Sequence, residues 1–182
     1  MKQSEVQKEL EKFRNYVIAE ARKNLSNDKK NVSKGLYNSL KGNVKAMPNS
    51  LSMEFEMDIY GQFQDKGVKG ANPSLVKNGK QKAPNSPFSF KNRKPPMEPL
   101  SKWAQKKNIR FRNADGTYAK GGYKTLGFWL QKRIFAQGIK PSLFFTKPFE
   151  AAFKRLPDEL IEKFGLDAMN LFKETKFKNE KK

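Results

Sequence analysis

The stretch LSMEFEMDI, Leu51 to Ile59, alternates apolar and polar residues without a break. Leu51, Met53, Phe55, Met57 and Ile59 fall on one side of an extended chain, and Ser52, Glu54, Glu56 and Asp58 on the other, because successive strand side chains point to opposite faces. The stretch therefore reads as a strand with one apolar and one acidic face. PNS, Pro48 to Ser50, makes a hairpin turn back to a strand around Val44 to Met47.

Helical patterns lie on either side. Val6, Leu10, Phe13, Val17 and Ala21 recur at spacings of four and three, with Ile18 and Leu25 widening the stripe. Ser4 with Gln7 forms a capping box, and SNDKKN ends the helix. VSKGLYNSL predicts a short second helix or turn centred on Leu36, Tyr37 and Leu40. LSKWAQKKN reads as a short helix, and IRFRNADGTYA as two short strands about an ADG turn. GYKTLGFWLQKRIFAQG reads as a helix with Gly138 as its stop. SLFFT predicts a short strand or ledge. Phe149, Ala152, Phe153 and Leu156 then recur at helical spacing, Pro157 kinks or restarts the helix, and Leu160, Ile161 and Phe164 continue it.

At 182 residues the chain suits one domain. It has neither cysteine nor histidine, which removes disulfides, thiolate or imidazole metal sites and imidazole-dependent triads. The charged start lacks an apolar signal region, and no apolar run reaches the roughly 20 residues that cross a bilayer, so a soluble protein is expected. Between Lys66 and Lys147 lie 19 Lys/Arg and two acids, Glu98 and Asp115, a net +17 of the chain's +20. Charge so concentrated points to nucleic acid, an anionic membrane face or an acidic protein partner. Within this region Ala71 to Pro99 is rich in Pro, Asn, Gly and Lys and reads as a long basic loop or arm.

Four stretches carry candidate chemistry. The GVKG of Gly67 to Gly70 is either a strand-end turn or a phosphate-touching loop; no P-loop pattern is present. The acidic row Glu54, Glu56 and Asp58 is what a half-exposed strand shows, and no further nuclease-type acidic run follows, so catalysis is not expected. In IRFRNADGTYAKGGYK, Phe111, Tyr118 and Tyr123 could stack on single-stranded bases with Arg110 and Arg112 on the backbone, or Phe111 could be core between exposed arginines. The density of phenylalanine in SLFFTKPFEAAF predicts core or a subunit interface.

Three separated segments together resemble the head–tail joining, tail-completion or neck proteins of tailed bacteriophages. Gly35, Leu36, Ser39 and Leu40 match a segment that follows the first helix. Tyr60, Gly61, Phe63, Asp65 and Gly67 match a Tyr-small-x-aromatic-x-acid-x-Gly run, with Asp65 where a Glu is more usual. Pro148, Phe149, Ala152 and Phe153 match the run that opens the last helix. The resemblance implies an α+β fold, a curved antiparallel sheet packed against the N-terminal and C-terminal helices. It implies one domain over 1–182, with a basic insertion at about 71–120 and a frayed tail at about 175–182.

It further implies a non-enzymatic virion protein with no cofactor and no metal. Such a protein is made in the host bacterial cytoplasm and forms a homo-oligomeric ring in the neck. The ring joins portal and tail proteins around DNA that passes without sequence readout, and touches no membrane. Expected subunit-interface residues are Phe63, Asp65, Gly67, Lys69, Phe144, Phe145 and Phe149. Lys91, Arg93, Lys94, Arg110 and Arg112 form the expected basic surface, facing DNA or the acidic face of the next subunit, Glu54, Glu56 and Asp58 included. The alternative is a non-catalytic, sequence-independent nucleic-acid-binding protein.

Overall fold

The computed structural model describes residues 3–27, 34–47, 50–156, 158 and 176–178. They divide into two compact units: Met1–Asp65 with Leu143–Lys182, and Lys66–Ser142 between them. The architecture is α+β. Where the sequence suggests one domain with an extended arm, residues 66–142 instead fold on themselves.

The first unit opens with α1, Gln3–Asn27, whose Val6, Leu10, Phe13, Val17, Ala21 and Leu25 are all buried, as the spacing predicts. The short α2, Gly35–Ser39, buries Leu36, and Leu40 follows at 0% exposure. Strands β1, Lys41–Met47, and β2, Ser50–Asp58, form the antiparallel hairpin, with Val44 opposite Met53 and Gly42 opposite Phe55. Met53, Phe55 and Met57 face the core, whereas Ile59 lies beyond the strand and is exposed. The acidic face of β2 meets lysine within its own sheet, Glu56 pairing in register with Lys41. Its other edge pairs in parallel with β5, Lys176–Lys178, so part of the expected frayed tail is a strand. The expected helix at Leu160 to Phe164 and the side chain of Ser4 lie outside what is described.

Four phenylalanines hold this core together. Phe13 of α1 meets Phe149 edge-on at 5.4 Å, and Phe55 of β2 meets Phe145 at 5.3 Å and Phe149 at 6.0 Å, all close to perpendicular. Edge-to-face pairs contribute about 0.5–1.5 kcal/mol each beyond the area they bury. Phe149 belongs to α7, Thr146–Phe153, while Phe144 and Phe145 precede it in a turn where a strand was one expectation.

Asp65 places that turn. It ends the first pass through this unit within α3, Tyr60–Lys66. One carboxyl oxygen of Asp65 accepts from the Phe145 and Thr146 amides at 2.9 and 3.2 Å; the other accepts from the Thr146 hydroxyl. Its carbonyl accepts from the Leu143 amide at 3.0 Å. The first amides of a helix have no intrahelical partner, and an acidic side chain there complements the helix dipole. Asp65 is thus a cap supplied from 80 residues away.

The second unit is built around α5, Met97–Lys106, and α6, Tyr123–Gln137. They cross closely because Gly127 has no Cβ; one would stand 1.9 Å from Ser101 Oγ. The last carbonyls of α6, at Phe135, Ala136 and Gln137, accept from the amides of Ala71, Asn72 and Lys82. The expected arm is therefore a wrap that satisfies a helix end, and it includes the single-turn α4, Ser74–Lys77. Buried Gln81 fixes the wrap by donating to Gly70 O at 2.8 Å and accepting from Gly70 N at 3.0 Å. A two-residue ribbon closes the unit: β3, Val68–Lys69, is antiparallel to β4, Gly138–Ile139.

Two outcomes are expected. Asp65→Ala leaves three donors without their acceptor and destabilises the first unit by about 3 kcal/mol. Asp65→Asn keeps an acceptor for both amides and costs about 1 kcal/mol. Urea unfolding followed by far-UV circular dichroism gives both values. Separately, Gly138 combines a φ of 84° with a Cβ that would stand 2.2 Å from Val68 O. Gly138→Ala therefore costs more than about 2 kcal/mol, against about 1 kcal/mol for Gly79→Ala, where nothing lies within 4 Å. Fluorescence of Trp103 and Trp129, both in the second unit, reads the difference.

Candidate nucleic-acid interface

The second unit carries 18 Lys/Arg and two acids, Glu98 and Asp115, a net +16 of the chain's +20. Glu98 is engaged by Lys102 one turn on, at 2.7 Å, and this hydrogen bond and charge hold its carboxyl below the ordinary value. Arg110 and Arg112 project from the link between α5 and α6. There, Asn113 N bonds Thr117 O, Gly116 N bonds Asn113 O and Ala119 N bonds Phe111 O, making a small hairpin with a single bridge, Arg112 to Tyr118, in place of the two expected strands. Gly116, at φ 84°, takes the left-handed position that such a turn requires. Asp115 accepts from the hydroxyl and the amide of Thr117, which lowers its pKa from 3.8.

This hairpin gathers cations over aromatic rings. Arg110 Nε donates to Tyr123 Oη at 3.1 Å, which in turn donates to Asn108 Oδ1. The bond to Tyr123 raises the Arg110 pKa further. The Arg110 and Arg112 guanidiniums lie 5.4 and 5.0 Å from the Tyr118 ring. Phe111 meets Trp129 edge-on at 5.7 Å, and Arg133 lies 4.9 Å from that indole. Lys132 sits 4.5 Å from the Phe128 ring. Beneath the hairpin is a hollow of about 180 Å³, lined in part by Arg110, Phe111, Tyr118, Gly122 and Tyr123. Phe111 is half-buried and lines this hollow, so it is not the core residue of one expectation.

All five expected basic residues are exposed, but they do not form one cluster. Arg110 and Arg112 converge at the start of α6, whereas Lys94 lies over Phe135 near its end, about 18 Å further along the helix. Phe128, Trp129, Lys132 and Arg133 escaped the sequence reading. The signal was present as aromatic–cation pairs four residues apart, at 128/132 and 129/133.

The expected subunit interface requires correction. Asp65, Gly67, Phe144, Phe145 and Phe149 are buried within the protomer. The phenylalanines are core and Asp65 is an internal cap. Gly67 sits where a Cβ would stand 2.5 Å from Ile139 O, so GVKG is a tightly packed ribbon edge. Lys69 is half-buried in that ribbon, and Phe63 alone of the seven is exposed.

Among the described residues no cluster of three or more acids could hold a metal ion, and no helix is long and apolar enough to cross a membrane. No family model, no curated protein and no solved structure matches the chain.

Because the folded pKa of Asp115 is depressed, its turn contributes stability above the ordinary carboxylate value and loses it as pH falls through the folded one. The Thr117 amide resonance is expected to titrate with a midpoint below 3.8. Asp115→Ala abolishes that titration while the rest of the spectrum persists.

Proposed function

We propose that this chain is a non-enzymatic structural protein of the neck or tail-completion type of a tailed bacteriophage. It forms a homo-oligomeric ring joining portal and tail proteins around the DNA path, after synthesis in the host bacterial cytoplasm. One observation supports this reading above the others: buried residues of all three segments, Leu36 and Leu40, Gly61 and Asp65, and Phe149 and Ala152, meet in the first unit. Gly61 packs so closely that a Cβ would stand 2.9 Å from Leu36 and 2.8 Å from Met57. Ser39 Oγ accepts from the Asp58 amide at 3.1 Å, tying the first segment to the strand that leads into the second. Asp65 of the second segment caps the helix that contains Pro148, Phe149 and Ala152 of the third. An ordered set of weak motifs thus corresponds to one mutually supporting arrangement.

With the phenylalanine cluster inside, the contact surface between subunits moves to what is exposed. Ile59, Tyr60 and Phe63, each 38–45% exposed, supply apolar area on and beside α3. The second unit supplies the charge, meeting phosphate without reading sequence. A second reading, a nucleic-acid-binding protein outside any particle, is favoured by the concentration of +16 in that unit.

Quantitative mass spectrometry on purified particles separates the two. Peptides of this chain at a level comparable with the portal are expected. Their absence overturns the neck assignment and leaves the second reading.

A further inference from the structure

We infer that the hairpin and the adjoining face of α6 bind single-stranded nucleic acid, or an unpaired end, in preference to duplex. This deepens the nucleic-acid reading of the same surface and does not depend on where in a particle the chain sits. Charge alone points the other way: duplex has the higher charge density, so a surface made only of Lys and Arg favours it. What this surface adds is accessible rings. Tyr118 is 54% exposed, Phe128 48% and Trp129 42%. Such area contributes nothing to a duplex backbone, whose bases are stacked inside, but it offers stacking platforms to unpaired bases of any identity.

Each ring carries its own cation: Arg110 and Arg112 beside Tyr118, Arg133 beside Trp129, Lys132 beside Phe128. A base placed on one of these rings therefore has a positive group within reach of its own phosphate. Phe111, which meets Trp129 edge-on and lines the hollow beside Tyr118, joins the hairpin and α6 into one surface for a strand to cross. Stacking on rings tolerates sequence, because every base has a π-face.

The test is fluorescence anisotropy of the full chain with a labelled oligothymidylate and with a duplex at equal phosphate concentration, in about 0.15 M salt. The single strand is expected to bind more tightly. Tyr118→Leu, at an exposed position, weakens it about tenfold and changes duplex binding by about twofold or less. Arg110→Ser with Arg112→Ser weakens both and flattens the salt dependence. In a Trp103→Phe background, single strand quenches Trp129 and duplex does not. Duplex binding as tight as the single strand, with Tyr118→Leu silent, overturns the single-strand inference while keeping a basic phosphate-binding surface. Failure to bind either probe overturns both.

Discussion

The first unit is made of two chain segments, and Asp65 is where they are joined. The chain leaves its core at Lys66 and returns at Leu143. Loop-closure entropy rises only slowly with length, so a long excursion is tolerable provided that its ends are held. Asp65 holds them twice, through its carbonyl on Leu143 and its carboxyl on Phe145 and Thr146. Leu143 shows that this is a constraint: its φ of 53° is unfavourable for a branched apolar residue, by about 1–2 kcal/mol. That strain persists because the next residues, Phe144 and Phe145, are each 1% exposed. The cap and the aromatic core therefore depend on one another.

At the other end of the excursion the inserted unit closes by its own means. Gly67, Gly70 and Gly138 let β3, β4 and the end of α6 approach at distances that no side chain would allow. The two closures use different chemistry, a buried acid in one unit and missing Cβ atoms in the other. A surface of high charge can in this way be carried by a unit whose backbone is satisfied internally. The first unit stays nearly balanced, because most of the chain's acids belong to it.

What was legible in the sequence was whatever depends on local periodicity. The α1 stripe, the β2 alternation and the stop at Gly138 are written in neighbouring residues and recur in the fold. What was not legible depends on partners far away in the chain. YGQFQDK carries no long helical stripe, and it is helical because Gly61 fits against Leu36 and Asp65 reaches the start of α7. The stretch after Gly70 lacks periodicity because its amides bond in local turns, as over 72–81, or to separate segments: Ala71, Asn72 and Lys82 to the end of α6, and Phe90 to Lys69. Phe144, Phe145 and Phe149 were readable as apolar and dense. Composition alone does not tell a core from an interface, since both are dense in aromatics. In the candidate site, Arg110, Arg112 and Tyr118 were legible from their mixture, whereas Trp129 and Arg133 needed the helix phase.

The inserted unit's charge has a consequence for its stability. Its 18 cations are met by only two acids of its own, so like-charge repulsion opposes its compact state. Its cohesion rests on apolar and backbone contacts: Ala104 and Leu126 buried near the crossing of α5 and α6, the wrapped carbonyls of α6 and the Gln81 clasp. A polyanion that binds the folded unit relieves the repulsion and adds its binding free energy to folding. Binding and stability are then two readings of one electrostatic imbalance.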